Sequence, residues 1–412
     1  MLQGKTILLG VTGSIAAYKA ASLASMLVKA HASVHVIMTK NATNFIHPIV
    51  FETLTNHKCI VDTFDRNFEF QVAHVSLAKQ ADLFMIAPAS ANVIGKLAGG
   101  IADDMLTTTA LACQAPTYIV PAMNTQMYGN PIQQDNLNKL RSFGKRIIEP
   151  ASGHLACGDT GKGKMPEPEE LFDVIISALC YEKDLAGRKV LITAGPTREA
   201  IDPVRFISNH STGKMGYAAA RAAMLRGADV TLISGPVALE PPGNAAVEYV
   251  QSAQEMYDAV FSYRAQADLI IMTAAVADYR PAVVESEKIK KHEAGGVIRL
   301  ERTKDILKSL GEDKREGQFL VGFSMETTDL IKNSKKKLQE KNADLIVANN
   351  LRTEGAGFGT ETNRVTFLTP DGERVFPLLT KEEVAMEILD YYLRSKGGII
   401  DRPVSDKGST AF

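Results

Sequence analysis

The sequence has little cysteine, no long apolar run and almost no net charge, and each lack excludes a class of protein. Its four cysteines form no Cys-x-x-Cys pair and have no zinc-type spacing, and in a reducing compartment they are expected to be free thiols. No apolar run approaches the roughly 20 residues that a membrane-spanning helix needs. A formal net charge of −1 gives no indication of nucleic-acid binding. The first residues enter a strand pattern without an apolar leader, so a cytoplasmic protein is expected.

What the sequence does contain is a regular alternation of strand and helix patterns. An apolar run at residues 6–11 is followed by a helical pattern at 15–29 and a second strand pattern at 33–39. Continuous apolar strands between amphipathic helices are typical of a parallel sheet covered on both faces. Because 412 residues exceed one ordinary core, two α/β domains are predicted. Each is expected to have a doubly wound, mostly parallel sheet of the flavodoxin or Rossmann type.

The strand-into-glycine pattern of the start recurs once, which indicates a second domain. Residues 185–195 repeat it, and a closing helical pattern precedes them. The predicted boundary lies between 182 and 187, with domains at 1–183 and 184–396. The polar residues 397–412 are predicted to form a loose tail.

A second repeat is an Ala-Asp-Leu phrase that begins three apolar stretches, at residues 81–89, 267–275 and 343–350. Each stretch predicts a buried strand that ends in a loop of small residues. Doubly wound sheets bind ligands at the carboxyl ends of their strands. Ligand sites are therefore expected where these strands end.

Three motifs of the first half have glycine or polar residues at predicted strand ends. Gly13 and Ser14 lie between the first strand and the first helix, where a helix N-terminus can hold a phosphate or the turn is only structural. Ser90 and Asn92 follow a later strand and can hold the polar edge of a ligand or cap a helix. Asn124 follows a further strand and can bind a carboxylate or amide, or serve only the turn.

Two further residues of this half are candidates for catalysis. The glycine-rich stretch 153–165 is predicted to be too flexible for a helix or strand and to form a mobile lid that carries the thiol of Cys157. Its spacing is close to that of a phosphate-binding P-loop, but Met165 occupies the position where a hydroxyl must bind magnesium. His74 by itself is more typical of a packed core histidine than of a catalyst.

In their order along the chain, the Gly-Ser turn, His74, the Pro-Ala-Ser-Ala-Asn and Pro-Ala-Met-Asn motifs and the Ala-Cys-Gly-Asp segment resemble the flavin-containing cysteine decarboxylases. The resemblance, specifically to phosphopantothenoylcysteine decarboxylases, covers about residues 1–180. It implies an FMN cofactor and a trimer-based oligomer, with a dodecamer as the larger alternative. It implies that His74 acts as a base, that Asn124 holds a substrate carboxylate or amide, and that Cys157 donates a proton during reduction. The implied FMN contacts are Gly13, Ser14, Thr39, Ser90 and Asn92.

An electron-accepting cofactor agrees with the chemistry that this family implies. A cysteine carboxylate does not leave without an electron sink, and oxidation of the substrate thiol by FMN supplies one. A thiol with a pKa of about 8.5 stays mostly protonated at neutral pH, which suits a proton donor such as Cys157. Tyr128 departs from the tryptophan that the family usually has after Met127, and only altered packing is expected from it.

The second half carries polar residues at strand ends and two lysine-rich segments. Residues 211–213 open a predicted helix, whose start can hold phosphate or be an ordinary N-cap. Asp278 follows a predicted strand and can coordinate a cation or a ribose. The lysines at 288–291 and 332–341 are either solvated faces or contacts to an anionic ligand.

The segments around Gly195, Asn209, Asp278, Lys288 and Lys341 together resemble phosphopantothenate–cysteine ligases, over about residues 188–395. The resemblance implies that CTP and the carboxylate of 4′-phosphopantothenate form an acyl-cytidylate, which the amine of cysteine converts to an amide. It implies that Asn209 acts on the acyl-cytidylate and that Lys288 and Mg²⁺ neutralise charge at the phosphates. The residues implied to serve the nucleotide are Ala274, Ala275, Asp278, Lys288, Phe323, Lys337 and Lys341, with Asp278 also as a ligand of Mg²⁺.

A ligase joined behind such a decarboxylase is similar to the bacterial bifunctional enzymes of coenzyme A synthesis, which use CTP. The expected partners are 4′-phosphopantothenate, cysteine and CTP, with neither nucleic acid nor membrane, in a homo-oligomer with a trimeric decarboxylase core and dimeric ligase domains. One departure, Thr303-Lys304 in place of Asn-Pro, affects the expected nucleotide contact there.

Two alternatives stay open at this point. The first is a flavin-dependent decarboxylase of another cysteine-terminated substrate, which the attached ligase half disfavours. The second is a regulatory flavin-binding subunit without activity, which the intact His74, Asn124 and Cys157 disfavour.

Overall fold

The computed structural model describes residues 2–63, 73–154, 158, 160–243, 245–289, 297–326, 329–350, 357 and 359–397. The chain divides into two compact units, Met1–Tyr181 and Glu182–Phe412, and each is described by itself. From position 398 onward, the predicted tail lies outside the described residues. Among the helices in the described ranges, none combines the length and the apolar character needed to cross a membrane.

A five-stranded parallel sheet forms the centre of the first unit. Its strands are β1 (Thr6–Val11), β2 (Ser33–Met38), β3 (Leu83–Ala89), β4 (Thr117–Pro121) and β5 (Arg146–Ile147). The spatial order is β2-β1-β3-β4-β5, and every neighbouring pair is parallel. All residues of β3 are buried, as expected of a central strand with helices on both faces.

The helices of the first unit begin at local signals in the sequence. Asp104 and Thr107 form a capping box at the start of one helix, and prolines occupy the first turn of three others. The helices are α1 (Ala17–Lys29), α2 (Pro48–Thr55), α3 (Ala73–Gln80), α4 (Ala91–Gly99), α5 (Met105–Ala112), α6 (Thr125–Gly129), α7 (Pro131–Ser142) and α8 (Pro168–Leu179).

The glycine-rich stretch of this unit forms regular structure, which corrects the prediction that it is too flexible for a strand. Its two arms pair as an antiparallel hairpin of β6 (Ala151–His154) and β7 (Thr160–Lys164). A Cβ added to Gly163 would lie 2.3 Å from the carbonyl oxygen of Met123. The glycines therefore serve close packing of the hairpin on its neighbour, a need that composition alone does not distinguish from flexibility.

The second unit is built on an eight-stranded sheet with two small hairpins beside it. Its strands are β8 (Lys189–Ala194), β9 (Arg198–Ala200), β10 (Phe206–Ser208), β11 (Asp229–Ser234), β12 (Ala246–Tyr249), β13 (Leu269–Met272), β14 (Tyr279–Pro281), β15 (Leu300–Arg302), β16 (Phe319–Glu326), β17 (Leu345–Asn350), β18 (Thr362–Thr369) and β19 (Gly372–Thr380). The main sheet has the order β12-β11-β8-β13-β16-β17-β18-β19. Counted along the chain, its six parallel strands follow the order 3-2-1-4-5-6 of dinucleotide-binding folds. The last two strands are antiparallel.

Helices cover both faces of this second sheet. They are α9 (Lys214–Leu225), α10 (Ala253–Tyr263), α11 (Ile306–Glu312), α12 (Leu330–Glu340) and α13 (Lys381–Ser395). Helix α9 packs against α13 on one face. The predicted fold class, two doubly wound α/β domains with mostly parallel sheets, is confirmed.

The repeated Ala-Asp-Leu phrase has a structural function at the amino ends of the strands. In each copy the aspartate lies directly before the strand, and its carboxylate accepts the backbone N–H of a residue at the start of the neighbouring strand. Its own N–H donates to the carbonyl of that same residue. These paired bonds align each strand with its neighbour. The pairs are Asp82 with Thr6, Asp268 with Lys189 and Asp344 with Leu320, with carboxylate distances of 2.8, 2.9 and 2.7 Å.

Candidate functional sites at two switch points

The first unit has its switch point between β1 and β3, where the chain leaves β1 for β2 on one side and later adds β3 on the other. Thr12 joins the two strand ends, since its buried hydroxyl donates to the carbonyl of Pro88 at 2.7 Å and accepts the N–H of Ser90 at 2.8 Å. The predicted Gly13, Ser14 and Ser90 therefore lie at the same crevice, the usual ligand position of this strand order.

Thr39 contributes a buried hydroxyl without a partner to this region. Its N–H donates to the carbonyl of Val11 at 3.0 Å, which holds the end of β2 beside the end of β1. Within the described part of the chain, its Oγ1 has no hydrogen-bond partner. An unsatisfied buried hydroxyl is costly unless a ligand satisfies it. Nearby, a Cβ on Gly13 would lie 2.9 Å from Cβ of Asn41, so only glycine fits this turn without movement.

Two of the three predicted polar residues Ser14, Ser90 and Asn92 have local structural contacts. Ser14 accepts the N–H of Ala16 at 3.3 Å, and Ser90 accepts that of Val93 at 3.5 Å as the N-cap of α4. Asn92 is exposed in the first turn of α4. The capping interpretation of Ser90 is therefore confirmed, and it does not exclude a ligand, because a hydroxyl has further hydrogen-bonding capacity.

Asn124 lies under the β6–β7 hairpin. It is the N-cap of α6, and its Oδ1 accepts the N–H of Gln126 at 2.8 Å. The hairpin seats directly on this segment, because the N–H of Met123 donates to the carbonyl of Gly163 at 3.1 Å. Cys157 lies outside the described residues.

His74 lies in the first turn of α3 and is half-buried. Helix α3 packs against α5. Within the described part of the unit, none of the hydrogen bonds that join the ends of β1, β2 and β3 involves His74. The geometry thus neither brings it to that crevice nor assigns it a core role.

Tyr128 does more than alter packing, which corrects the expectation for this departure from the family. Its hydroxyl donates to Oε2 of Glu149 at 2.7 Å, and Lys162 of β7 donates to the same oxygen at 2.8 Å. Burial, together with the bond to Glu149, raises the pKa of Tyr128 to about 12, so the phenol remains the donor at neutral pH. A tryptophan has no hydroxyl for this contact, and the network links α6 to the hairpin.

The second unit has its switch point between β8 and β13. Here backbone groups join the strand ends. The N–H of Ala275 donates to the carbonyl of Gly195 at 2.9 Å, and the N–H of Thr197 donates to the carbonyl of Ala275 at 3.2 Å. The side-chain amide of Asn209 donates to that same carbonyl at 2.8 Å. The structure thus brings the predicted Asn209, Ala274 and Ala275 together.

Helix α9 begins at this crevice. A Cβ on Gly216 would lie 2.5 Å from Cβ of Ala194 and 2.6 Å from Oγ1 of Thr273, so the helix packs closely on the ends of β8 and β13. Its N-cap is Gly213, with φ of 80° and no side-chain cap. The first-turn N–H groups therefore lack the side-chain acceptor of an ordinary N-cap, which favours the phosphate interpretation of residues 211–213.

Asp278 and Lys341 are connected through the start of α11. The N–H of Thr303 donates to the carbonyl of Asp278 at 3.0 Å, and Asp305, the N-cap of α11, pairs with Lys341. Burial disfavours the ionised form of Asp305, but the bonds from Lys341 and the N–H of Lys308 outweigh it and hold its pKa below the ordinary value. Lys341 is therefore engaged by a carboxylate, while the side chain of Asp278 is exposed.

Phe323 of β16 and Lys337 of α12 lie together. Strand β13 ends at Met272, opposite Gly322, so the ladder on that side stops one residue before Phe323. The ammonium of Lys337 donates to the carbonyl of Phe323 at 2.8 Å. Both residues are half-buried. The structure therefore brings these two predicted residues into contact.

Lys288 is exposed on a segment that rests on the β9–β10 hairpin. The N–H of Glu285 donates to the carbonyl of Ile201 at 3.0 Å, and the N–H of Ile289 donates to Asp202 at 3.2 Å. The adjacent lysines 290 and 291 lie outside the described residues. Among the described residues there is no group of three or more His, Cys, Asp or Glu side chains suited to a metal, so Asp278 has no protein carboxylate cluster around it.

Sequence reasoning missed Thr12 and Asp202, which organise the two crevices. Thr12 carries no signal beyond its position after a strand, because its two partners are 76 and 78 residues away. Asp202 has a local signal, an Asp-Pro-x-Arg spacing that lets Arg205 return to the carboxylate. That spacing predicts a turn, whereas the contact to Ile289 depends on the tertiary fold.

The fold and the site together define a class: an α/β protein with one flavodoxin-type and one dinucleotide-type crevice. Two family models match the same two regions. The model described as Flavoprotein matches residues 1–180, and the model described as DNA/pantothenate metabolism flavoprotein C-terminal domain matches residues 185–394.

Relatives match almost the whole chain. The coenzyme A biosynthesis bifunctional protein CoaBC of Bacillus subtilis (strain 168) is 51% identical over 393 residues, which are 94% of this chain and 97% of that protein. The CoaBC of Vibrio vulnificus (strain YJ016) is 46% identical over 394 residues, 94% and 97% of the two chains. A cysteine/cysteine sulfinic acid decarboxylase of an unknown prokaryotic organism is 47% identical over 350 residues, 84% and 98%. A solved C-terminal domain of CoaBC is 48% identical and covers 52% of this chain and 100% of its own, with a TM-score of 0.45.

The chain belongs to the family of bifunctional coenzyme A biosynthesis proteins CoaBC. It is an enzyme of coenzyme A biosynthesis in which a flavoprotein decarboxylase domain precedes a ligase domain. The family and the bifunctional activity predicted from the motifs are confirmed.

Proposed function

We propose that the second unit ligates cysteine to 4′-phosphopantothenate with CTP, and that the first unit decarboxylates the resulting 4′-phosphopantothenoylcysteine with FMN. The observation that carries this proposal is the presence of two switch points in one chain, each lined by residues that the motifs predicted. The two reactions fit in sequence, because the amide product of the ligase ends in the cysteine carboxylate that the decarboxylase removes.

In the ligation, the carboxylate must first gain a good leaving group, which CTP supplies as CMP in an acyl-cytidylate. We assign the phosphates to the start of α9, whose N–H groups lack a side-chain cap, and to the cation of Lys288. Asn209 serves the acyl-cytidylate, supported by its position on the carbonyl of Ala275 at 2.8 Å. The amine of cysteine then displaces CMP and forms the amide.

The remaining nucleotide contacts are proposed at Ala274, Ala275, Asp278, Phe323 and the lysines 337 and 341. Mg²⁺ typically binds through one or two carboxylates together with substrate phosphates rather than in an all-protein cage. A single exposed carboxylate at Asp278 fits this requirement. Mg²⁺ held there would reduce the negative charge of the triphosphate.

In the decarboxylation, FMN when bound would supply a two-electron acceptor before carbon dioxide is lost and a two-electron donor afterwards, so the reaction is redox-neutral overall. The first crevice fits such a group, because the buried hydroxyl of Thr39 has no hydrogen-bond partner among the described residues and Gly13 lies in the turn after the neighbouring strand β1. We assign FMN contacts to these two residues and to Ser14, Ser90 and Asn92. His74 serves as a base, Asn124 holds a substrate carboxylate or amide, and Cys157 donates a proton to the substrate carbon.

The proposed assembly is a homo-oligomer with a trimeric decarboxylase core, extended to a dodecamer by dimeric ligase domains. Its substrates are the small molecules 4′-phosphopantothenate, cysteine and CTP. Light scattering of the whole chain and of a chain that ends at residue 181 tests this arrangement, because the shorter chain is expected to remain trimeric. A monomeric short chain would contradict the trimeric core.

A coupled assay tests the two activities together. With 4′-phosphopantothenate, cysteine, CTP and Mg²⁺, the purified protein is expected to release pyrophosphate and CMP and to form 4′-phosphopantetheine. Replacing CTP by ATP is expected to reduce pyrophosphate release strongly. Equal release with both nucleotides would reject CTP specificity, and pyrophosphate without loss of carbon dioxide would reject the decarboxylase assignment.

A second candidate for the first unit is decarboxylation of free cysteine or cysteine sulfinic acid. It is favoured by the relative named for that reaction, which is 47% identical over 84% of this chain. Supplying either compound without 4′-phosphopantothenate and measuring carbon dioxide distinguishes the candidates. Release from free cysteine at a rate equal to that from 4′-phosphopantothenoylcysteine would favour this second function.

A further inference from the structure

Asp202 lies on the loop between β9 and β10, and its buried carboxylate accepts several hydrogen bonds. Its side chain is fully buried. Oδ1 accepts the N–H groups of Val204 and Arg205, both at 2.8 Å, and Oδ2 accepts Nε of Arg205 at 2.8 Å. The hydrogen bonds from Arg205 hold the pKa of Asp202 well below its ordinary value. A carboxylate with this many donors is ionised and rigidly oriented.

One of these bonds reaches a distant segment. The N–H of Ile289 donates to Oδ2 of Asp202 at 3.2 Å, and the carbonyl of Ile289 accepts Nη2 of Arg205 at 3.0 Å. The backbone of Ile289 is therefore held at both of its polar groups. Lys288, the residue directly before it, is exposed, and the backbone anchor limits the volume that its ammonium can sample.

The same loop also leads into the second switch point. Strand β10 ends at Ser208, and the next residue, Asn209, donates to the carbonyl of Ala275. The hydroxyl of Ser208 donates to the carbonyl of Thr197 at 2.7 Å, so the end of β10 is tied to the crevice. The hairpin is thus a rigid connection between the crevice and the Lys288 segment.

We propose that Asp202 is a positioning residue for ligation. Its Oδ2 holds the backbone of Ile289, and this contact keeps Lys288 in a fixed position relative to the crevice that contains Asn209 and Ala275. This inference rests on the proposed function of Lys288 at the phosphates. A long lysine side chain on an unanchored segment would lose rotational and backbone freedom on binding a nucleotide, and the anchor removes part of that loss in advance.

Asp202→Asn is the sharpest substitution because the two carboxylate oxygens have different partners. An asparagine retains one acceptor for the N–H groups of Val204 and Arg205 and presents an NH₂ group where Ile289 and Arg205 need an acceptor. Ile289→Pro removes the same backbone donor from the other side without changing Asp202. Asp371→Asn, an exposed site in the turn between β18 and β19, is the matched control.

Two measurements on the full chain test the proposal. In Asp202→Asn and Ile289→Pro, the KM for CTP in ligation is expected to rise about tenfold with a smaller change in kcat, as a misplaced binding group predicts. Decarboxylation of added 4′-phosphopantothenoylcysteine stays unchanged. Hydrogen exchange of the peptide around residues 285–289 is expected to accelerate about tenfold in Asp202→Asn, and the control changes neither quantity.

A double-mutant cycle with Lys288→Ala identifies the route of the effect. If Asp202 acts through Lys288, Asp202→Asn adds less than about twofold in the Lys288→Ala background. A full additional loss in the Lys288→Ala background overturns the positioning role. An unchanged KM for CTP in Asp202→Asn also overturns it, if Lys288→Ala alone lowers ligation. Unchanged ligation in Lys288→Ala itself overturns instead the proposed function of that lysine, on which the positioning role depends.

Discussion

In the first unit one threonine side chain joins the strand ends at the switch point, whereas in the second unit backbone groups and two threonine side chains do so together. Thr12 connects β1 to β3 through its hydroxyl, while Ala275 connects β13 to β8 through its own N–H and carbonyl. Threonine side chains add to this connection, since Oγ1 of Thr193 accepts the N–H of Ala274 at 3.2 Å and Oγ1 of Thr273 donates to the carbonyl of Thr193 at 2.6 Å. The ends of β1 and β3 are thus joined by different groups from the ends of β8 and β13. Different polar groups therefore remain to contact a ligand in the two crevices.

At the opposite ends of the strands the two units are alike. Asp82 in the first and Asp268 in the second each accept the N–H of a neighbouring strand and donate to its carbonyl. The repeated phrase thus reports strand alignment at the amino ends, where no ligand is expected. The carboxyl ends of the strands, where ligands are expected, differ between the two units. They can differ because the aspartates at the amino ends already align the strands.

The largest expected effect comes from Asn209→Ala. Loss of one preorganised donor is expected to lower kcat/KM of ligation by about 10²–10³-fold, with decarboxylation of added 4′-phosphopantothenoylcysteine unchanged in the same preparation. Steady-state assays of ligation and of decarboxylation show whether the substitution affects the second unit alone. A loss below about tenfold would mean that Asn209 serves only the carbonyl of Ala275, as one ordinary hydrogen bond does.

The next effect is on stability and belongs to the second unit alone. Arg226 is fully buried and pairs with Asp184 at 2.6 Å and Asp390 at 2.5 Å. Asp390→Ala leaves Asp184 as the remaining carboxylate partner of the buried guanidinium and removes the acceptor of its Nη1. We therefore expect the free energy of unfolding of this unit to fall by about 3 kcal/mol.

Denaturant unfolding followed separately in each unit measures this change, since one transition is not expected to describe two domains. Asp313→Ala, which breaks the exposed pair with Arg264, is the control and should cost about 0–1 kcal/mol. A shift of the first unit's transition by Asp390→Ala would show that the two units do not unfold independently.

A smaller effect is expected from two threonines of the first unit, Thr39, whose hydroxyl is proposed to bind FMN, and Thr12, whose hydroxyl joins two strands. Thr39→Val is expected to weaken FMN binding about tenfold, the value of one hydrogen bond. It is not expected to lower the stability of the flavin-free protein, because none of the described residues bonds to Oγ1 of Thr39. Thr12→Val removes two internal bonds and is expected to destabilise the flavin-free first unit by about 1–3 kcal/mol. Equilibrium flavin titration and thermal unfolding of both variants measure the contrast. Equal destabilisation by the two substitutions would refute it.

The smallest expected effect tests whether the aspartates at the amino ends of the strands act alike in the two units. Asp82→Ala and Asp268→Ala are each expected to lower the unfolding free energy of their own unit by about 1 kcal/mol, because each removes a partly exposed acceptor of one backbone N–H. Activity of either half is expected to remain unchanged. Denaturant midpoints measured for each unit give the comparison. If the two substitutions reduced activity instead, the phrase would have to serve a ligand.

The motifs predicted most of the elements that line the two crevices. The strands that end before Ser90, Asn124 and Ala274 are present, and residues 211–213 open a helix as expected. Short-range patterns suffice for such elements, because burial on both faces requires continuous apolar strands and helix starts have local signals. The β6–β7 hairpin was predicted wrongly, because its glycines fit a long-range contact to Met123 and Thr125 that no local pattern encodes.

The sequence by itself determined the alternation of strands and helices, the position of the glycines at the crevices and the likeness to a family. These depend on residue types at short spacing, which the chain carries locally. Only the tertiary structure decided that Thr12 bonds to Pro88, that Asp202 holds Ile289 and that Tyr128 shares Glu149 with Lys162. Each of these contacts joins residues 13 to 87 positions apart in the sequence. Such residues come close together only when the sheet has set the order of its strands.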